Sequence, residues 1–164
     1  MVGIFGSIDP RKQPELVLEA CSRLDGVALR VAGKWESEVH LENFLKLAER
    51  LTVMVDAHNS FLSDEEFYKI MLSVDVVGVM NQNYGSSGIA LGAYDLGVPL
   101  VMSGSESMKQ MAEHLGAIWA GDSPQSLADA FAEALSSHGN VEKAGDTFRE
   151  NLPELDEFCG HFLN

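Results

Sequence analysis

Positive charge is scarce relative to negative in this sequence: 11 Lys and Arg stand against 25 Asp and Glu, a formal net charge of −14 with histidine neutral. A surface of that sign repels phosphodiester backbones, which excludes nucleic acid as a partner and requires any anionic ligand to be held by local donors. Cysteine is scarcer still, with two. Cys21 and Cys159 lie far apart with no Cys-x-x-Cys or Cys/His spacing, which points to buried free thiols and away from a disulfide framework or a metal. No apolar run approaches the roughly 18 residues of a membrane span, and the amino terminus lacks a basic stretch leading into a signal-like apolar run. The expected chain is therefore cytoplasmic, with no transmembrane segment. Missing motifs narrow the field further. There is no Gly-x-Gly-x-x-Gly after the first strand, no Gly-x4-Gly-Lys-Ser/Thr and no Gly-x-Ser-x-Gly, which disfavours dinucleotide oxidoreductases, P-loop NTPases and α/β-hydrolases. The five histidines show neither a His-Glu-x-x-His pattern nor i,i+4 pairing, and of these only His58 is retained as a candidate ligand contact.

What is present is a rhythm. With 164 residues and 46% hydrophobic content the chain can bury a core as one domain. Short apolar runs alternate with amphipathic segments about six times, the pattern of βαβ units around a parallel sheet. Strands are expected at residues 2–6, 27–32, 53–57, 76–80, 99–102 and 117–120. Between them, Leu16, Val17, Ala20 and Leu24 share one helical face, as do Leu41, Phe44, Leu45, Ala48 and Leu51. Ser63 with Glu66 three residues on forms a capping box, and a fourth helix is expected to start near Ser86. The fold expected is α/β, a doubly wound, parallel, six-stranded, Rossmann-like sheet over residues 1–137. A tail over residues 138–164 carries an apolar stripe of Leu155, Phe158, Cys159, Phe162 and Leu163, expected to pack on the domain or on a partner.

In the commonest six-stranded order the first and fourth strands are neighbours, and ligands bind outside their carboxyl ends. That places the loop after the first strand opposite residues 83–88. Asn83, Tyr84, Gly85, Ser86, Ser87 and Gly88 follow a strand and open a helix, so backbone N–H groups and the positive helix end converge where an anion would sit. Gly85 and Gly88 permit close backbone approach, and Ser86 and Ser87 either donate to phosphate oxygens or simply cap the helix. Lys12 lies six residues after Gly6, beside Arg11, positioned to neutralise a diphosphate held by the facing loop. Taken alone, a lysine in a first helical turn is more often merely solvated. A phosphorylated receiver centred on Asp56 is disfavoured, because only Asp9 follows the first strand and no lysine appears after the fifth until Lys109.

These residues resemble the C-terminal, donor-binding half of GT-B glycosyltransferases of the retaining, group 1 type. The marks are the opening strand ending in Gly6 with Lys12 beyond it, SDEEFYKIMLSVDVVGVM from Ser63 to Met80, GAYDLGVPLV from Gly92 to Val101, and the helix start from Asp122 through Ser126 and Leu127. The resemblance implies a GT-B half-domain that holds a nucleotide sugar as its donor substrate, with no cofactor and no metal. Gly6, Ser7, Lys12, Gly85, Ser86, Ser87 and Gly88 would bind the diphosphate, while His58, Asn59 and Tyr84 would line the base or ribose pocket. Three positions depart from the family pattern. Ser7 stands where an arginine is usual, and both carboxylates of the Glu-x7-Glu motif are replaced, by Tyr84 and Gly92.

The function so implied is donor binding within a glycosyltransferase that moves a hexose from a nucleoside-diphosphate sugar to a glycan or glycolipid. No residue identifies itself as nucleophile or general base. An acceptor-binding N-terminal half, in the same full-length chain or as a separate subunit, would complete the cleft, and through it the protein would lie peripherally at a membrane. By itself the domain should bind donor without efficient transfer. The alternative is a non-catalytic, glycosyltransferase-like binding or assembly module, suggested by the two lost carboxylates.

Overall fold

Runs such as VGIF and VVGVMN are apolar at successive positions rather than at alternate ones, which suits strands covered on both faces. In the structure, a computed structural model, residues 1–82 and 87–149 are described, with side chains described through residue 137. The strands are β1 (Val2–Phe5), β2 (Leu29–Gly33), β3 (Val55–Asn59), β4 (Val76–Asn81), β5 (Leu100–Gly104) and β6 (Ile118–Trp119). The helices are α1 (Pro14–Cys21), α2 (Glu38–Leu51), α3 (Asp64–Met71), α4 (Gly88–Asp95), α5 (Glu106–Leu115) and α6 (Pro124–Arg149), with a short 3-10 turn at Pro10–Lys12. All strands pair in parallel in the order β3-β2-β1-β4-β5-β6, so the fold is the doubly wound, Rossmann-like α/β sheet expected from the sequence.

Side chains that alternate along each strand feed two cores. On one face Ile4 and Val31 join Val17 and Leu18 of α1, Phe44 of α2 and Leu127 and Phe131 of α6. On the other, Phe5, Val77 and Met102 join Met71, Ala90 and Met108 from α3, α4 and α5. Each fully buried side chain of this size contributes about 1.5–3 kcal/mol relative to exposure. The sheet is thus fixed from both sides.

Several boundaries differ from the sequence reading. Leu45 is exposed while Leu47 packs against the core, because the stripe of Leu41, Phe44, Ala48 and Leu51 is centred on a face that Leu45 overshoots by about one residue's rotation. Strand β3 lies two residues later than expected and ends in polar His58 and Asn59, which pair with Ala32 and Gly33 despite carrying no strand-like hydrophobicity. Helix α4 begins at Gly88 rather than near Ser86. Helix α6 continues to Arg149, past residue 137 where the sequence periodicity weakens. The stripe from Leu155 to Leu163, with Cys159, lies outside the described residues. Cys21 is a free, buried thiol whose pKa burial pushes up to about 12.

Candidate functional site

Strands β1 and β4 pair only at Val2 with Val76 and Gly3 with Val77. The ladders on either side continue further, β1–β2 to Phe5 with Ala32 and β4–β5 to Asn81 with Gly104. The central ladder therefore stops short, and a crevice opens between the carboxyl ends of β1 and β4. Two glycines let the flanking chains approach closely there. A Cβ on Gly33 would stand 1.9 Å from the Gly6 carbonyl oxygen, and one on Gly104 would stand 2.0 Å from that of Asn81. Both residues also have positive φ, 144° and 128°, so glycine is required on two counts.

Beyond β1 the chain is pinned to the loop after β2. Ile8 N–H donates to the Lys34 carbonyl at 2.8 Å, and Glu36 N–H donates to the Ile8 carbonyl at 2.9 Å. Trp35, buried between Phe44 and His40, anchors that loop, and its backbone N–H donates to Asn59 Oδ1 at 3.1 Å. His40 in turn lies 2.7 Å from Glu15 of α1. Asn59, a candidate for the base or ribose pocket, is thus committed to holding a loop. His58 stands on edge strand β3, two positions across the sheet from β1, with Nε2 3.1 Å from Asp56 Oδ1. The structure does not bring it to the crevice. Asp56 itself is engaged by the guanidinium of Arg30 at 2.8 Å, far from the setting of a phospho-acceptor.

Lys12 does reach the crevice. Asp9 caps the 3-10 turn that carries Lys12, and Gln13 takes a left-handed conformation, φ 48°, before α1 begins. Lys12 Nζ donates to the Phe5 carbonyl at 2.9 Å and would sit 3.2 Å from a Cβ on Gly6, beside the Ile89 side chain of α4. Burial pushes this ammonium below the usual lysine range; Asp9 opposes the shift and Arg11 adds to it. A desolvated cation of this kind gains most from an incoming anion. Arg11, by contrast, is spent on Asp9 through Nε at 2.9 Å and a second contact at 2.6 Å, which holds the Asp9 carboxyl below its ordinary range.

The opposite lip is the start of α4. The Ser87 hydroxyl accepts from Ala90 N–H at 3.3 Å and so caps the helix. Gly88 is exposed, with open space where its Cβ would be, and first-turn N–H groups have no intrahelical acceptor. Gln82 Nε2 donates to Gln13 Oε1 at 3.3 Å and joins the two lips directly. Asn83, Tyr84, Gly85 and Ser86 lie outside the described residues. Gly92 lies on α4, where a Cβ would meet the Met71 methyl at 3.8 Å.

Next to Gly6 and exposed Ser7 lies a feature the sequence reading missed, an open cleft of about 160 Å³ at the ends of β1, β2 and β3. Phe61, Leu62 and Phe67 form its apolar wall, and Lys34 and Ser60 supply polar groups. Phe61 is 83% exposed, unusual for so large an apolar ring at a sheet's carboxyl end. The available signal was Phe61-Leu62 just before the Ser63 capping box, a hydrophobic pair outside any helical or strand period. Among the described residues no group of three or more His, Cys, Asp or Glu could hold a metal ion, and no helix is long and apolar enough to cross a membrane.

A doubly wound parallel domain with a cationic crevice at its switch point falls in the Rossmann-like class that binds ligands at the carboxyl ends of its strands. Within that class the chain belongs to the glycosyl transferases group 1 family, which residues 1–151 match. No curated protein matches the sequence. Among solved structures, Anabaena HepE in complex with UDP and glucose aligns at 17% identity and TM-score 0.68, covering 91% of this chain and 47% of that one. The catalytic domain of cholesterol-α-glucosyltransferase from Helicobacter pylori aligns at 14% identity and TM-score 0.65, covering 90% and 97%. The C-terminal domain of a group 1 family glycosyl transferase, LpcC, from Francisella tularensis aligns at 16% and TM-score 0.70, covering 82% and 74%. At these identities the likeness is one of fold, and the chain spans about half the length of HepE.

Proposed function

We propose that this chain is the donor-binding half of a glycosyltransferase that moves a hexose from a nucleoside-diphosphate sugar to a glycan or glycolipid acceptor. The observation that carries the reading is Lys12, a partly desolvated cation held 2.9 Å from the Phe5 carbonyl and facing the amino end of α4 across the crevice. Lys12 neutralises the diphosphate, which is also the leaving group, and the Gly88 end of α4 presents N–H groups to its oxygens. The cleft beside Gly6 takes the flat base against Phe61 and Phe67. Family membership and the HepE complex with UDP support a uracil nucleotide as the first to be tested. Chemistry on the sugar requires an acceptor-binding half to close over this face and exclude water.

A second reading, a binding or assembly module without transfer activity, is favoured by Gly92, which places no side chain at a position where the family pattern has a carboxylate. Calorimetric titration of the purified chain with UDP, GDP and their sugar conjugates tests the donor site itself. Nucleotide binding that weakens by about tenfold or more in Lys12→Ala is expected, the range for a charge-assisted contact. Absence of binding by every nucleotide at millimolar concentration would overturn it.

A further inference from the structure

We infer that Lys34 supplies the second positive charge of the donor diphosphate site, reaching it from the loop after β2. The inference rests on the donor reading above. A nucleoside diphosphate brings more than one negative charge into a protein whose own formal net charge is −14. Lys12 offers one full charge, and the α4 terminus offers about half a charge. Arg11, the nearest further cation in sequence, is held by both oxygens of Asp9 and is already neutralised.

Lys34 is placed differently. It is exposed, lines the same cleft as Gly6 and Ser7, and forms no ion pair among the described residues. Its backbone is fixed, because its carbonyl accepts from Ile8 N–H at 2.8 Å, and the Gly33–Gly6 approach brings the two loops into direct contact. A long, unpaired lysine on a rigid base beside Ser7 can close over an anion from the side opposite α4. Ser7, next to it, contributes a hydroxyl and no charge.

The test measures UDP affinity as a function of salt for wild type, Lys34→Gln, Lys34→Arg and Lys46→Gln. Lys46 is an exposed lysine on α2, 4.0 Å from Glu42, and serves as the charge-matched control. Since Lys34 contributes only its carbonyl to the loop ladder, its side chain can be changed without unfolding the loop. The expected result is a three- to tenfold weaker affinity in Lys34→Gln at low salt, roughly 0.7–1.4 kcal/mol, with a shallower salt dependence. Lys34→Arg and Lys46→Gln should match wild type. If wild type binds UDP and Lys34→Gln matches it in affinity and salt dependence, the Lys34 assignment is overturned while the donor site stands. If Lys46→Gln weakens binding as much as Lys34→Gln, the effect belongs to net charge and the assignment fails. If wild type binds no nucleotide, both readings fall together.

Discussion

Lys12 shows how far a single residue could be read from sequence. Its distance from Gly6 and its place before the first helix identified it, but its protonation behaviour depends on burial over the end of β1, with Asp9 and Arg11 beside it, that no pattern reveals. In the free protein burial lowers its pKa from the ordinary lysine value. An anion in the crevice favours the charged form and raises that pKa, so binding is coupled to proton uptake. The sign follows: nucleotide affinity is at its maximum below the lowered pKa and falls as pH rises through it, before the ordinary value of 10.5 is reached. Titrations across alkaline pH should record this decline in wild type, and in Lys12→Met a smaller one that sets in at higher pH. His58 and Asn59 illustrate the opposite outcome. Residues of suitable chemistry after a strand were legible as candidates, but the sheet register that sends Asn59 to Trp35 and His58 to Asp56 was not. Lys34 and Phe61 were invisible because they sit in loops with no period, and only the three-dimensional meeting of those loops makes them neighbours.

At the level of elements, the cap at Ser63 was read more reliably than the edges. The Ser63–Glu66 box is present in both directions, with the Ser63 hydroxyl accepting from Glu66 N–H and the Glu66 carboxylate accepting from Ser63 N–H at 2.9 Å. Those contacts hold the Glu66 carboxyl below its ordinary range, the Ser63 backbone bond being the largest cause. Its contribution to stability is therefore present above the unfolded pKa and is lost as pH falls through the lowered one. Ser63→Ala should cost about 1 kcal/mol in urea denaturation, and a change within about 0.3 kcal/mol of zero would show the cap to be inert. The misplaced ends of β3 have a cause outside the local sequence. Pairing with a neighbour extends a strand through polar residues, and that neighbour lies 26 residues away in sequence, as for Arg30 and Asp56. A single sequence carries the hydrophobic centre of each element better than its ends.

At the scale of the molecule, the doubly wound order β3-β2-β1-β4-β5-β6 follows from alternating elements and right-handed crossovers, and it alone locates the crevice. The site's chemistry then depends on the two lips: a lysine-bearing loop built on β1 and the capped start of α4, joined through Gln13 and Gln82. Both follow neighbouring strands of one sheet, so the donor site should form in this chain by itself. The most direct measurement is a backbone amide NMR titration of this chain with UDP. The account predicts shifts concentrated at Gly6, Ser7, Lys12, Lys34, Phe61, Gly88 and Ile89, at the carboxyl ends of the strands. Shifts concentrated instead at the opposite end of the sheet, around Gly26 and Thr52, or no shifts at saturating nucleotide, would contradict it.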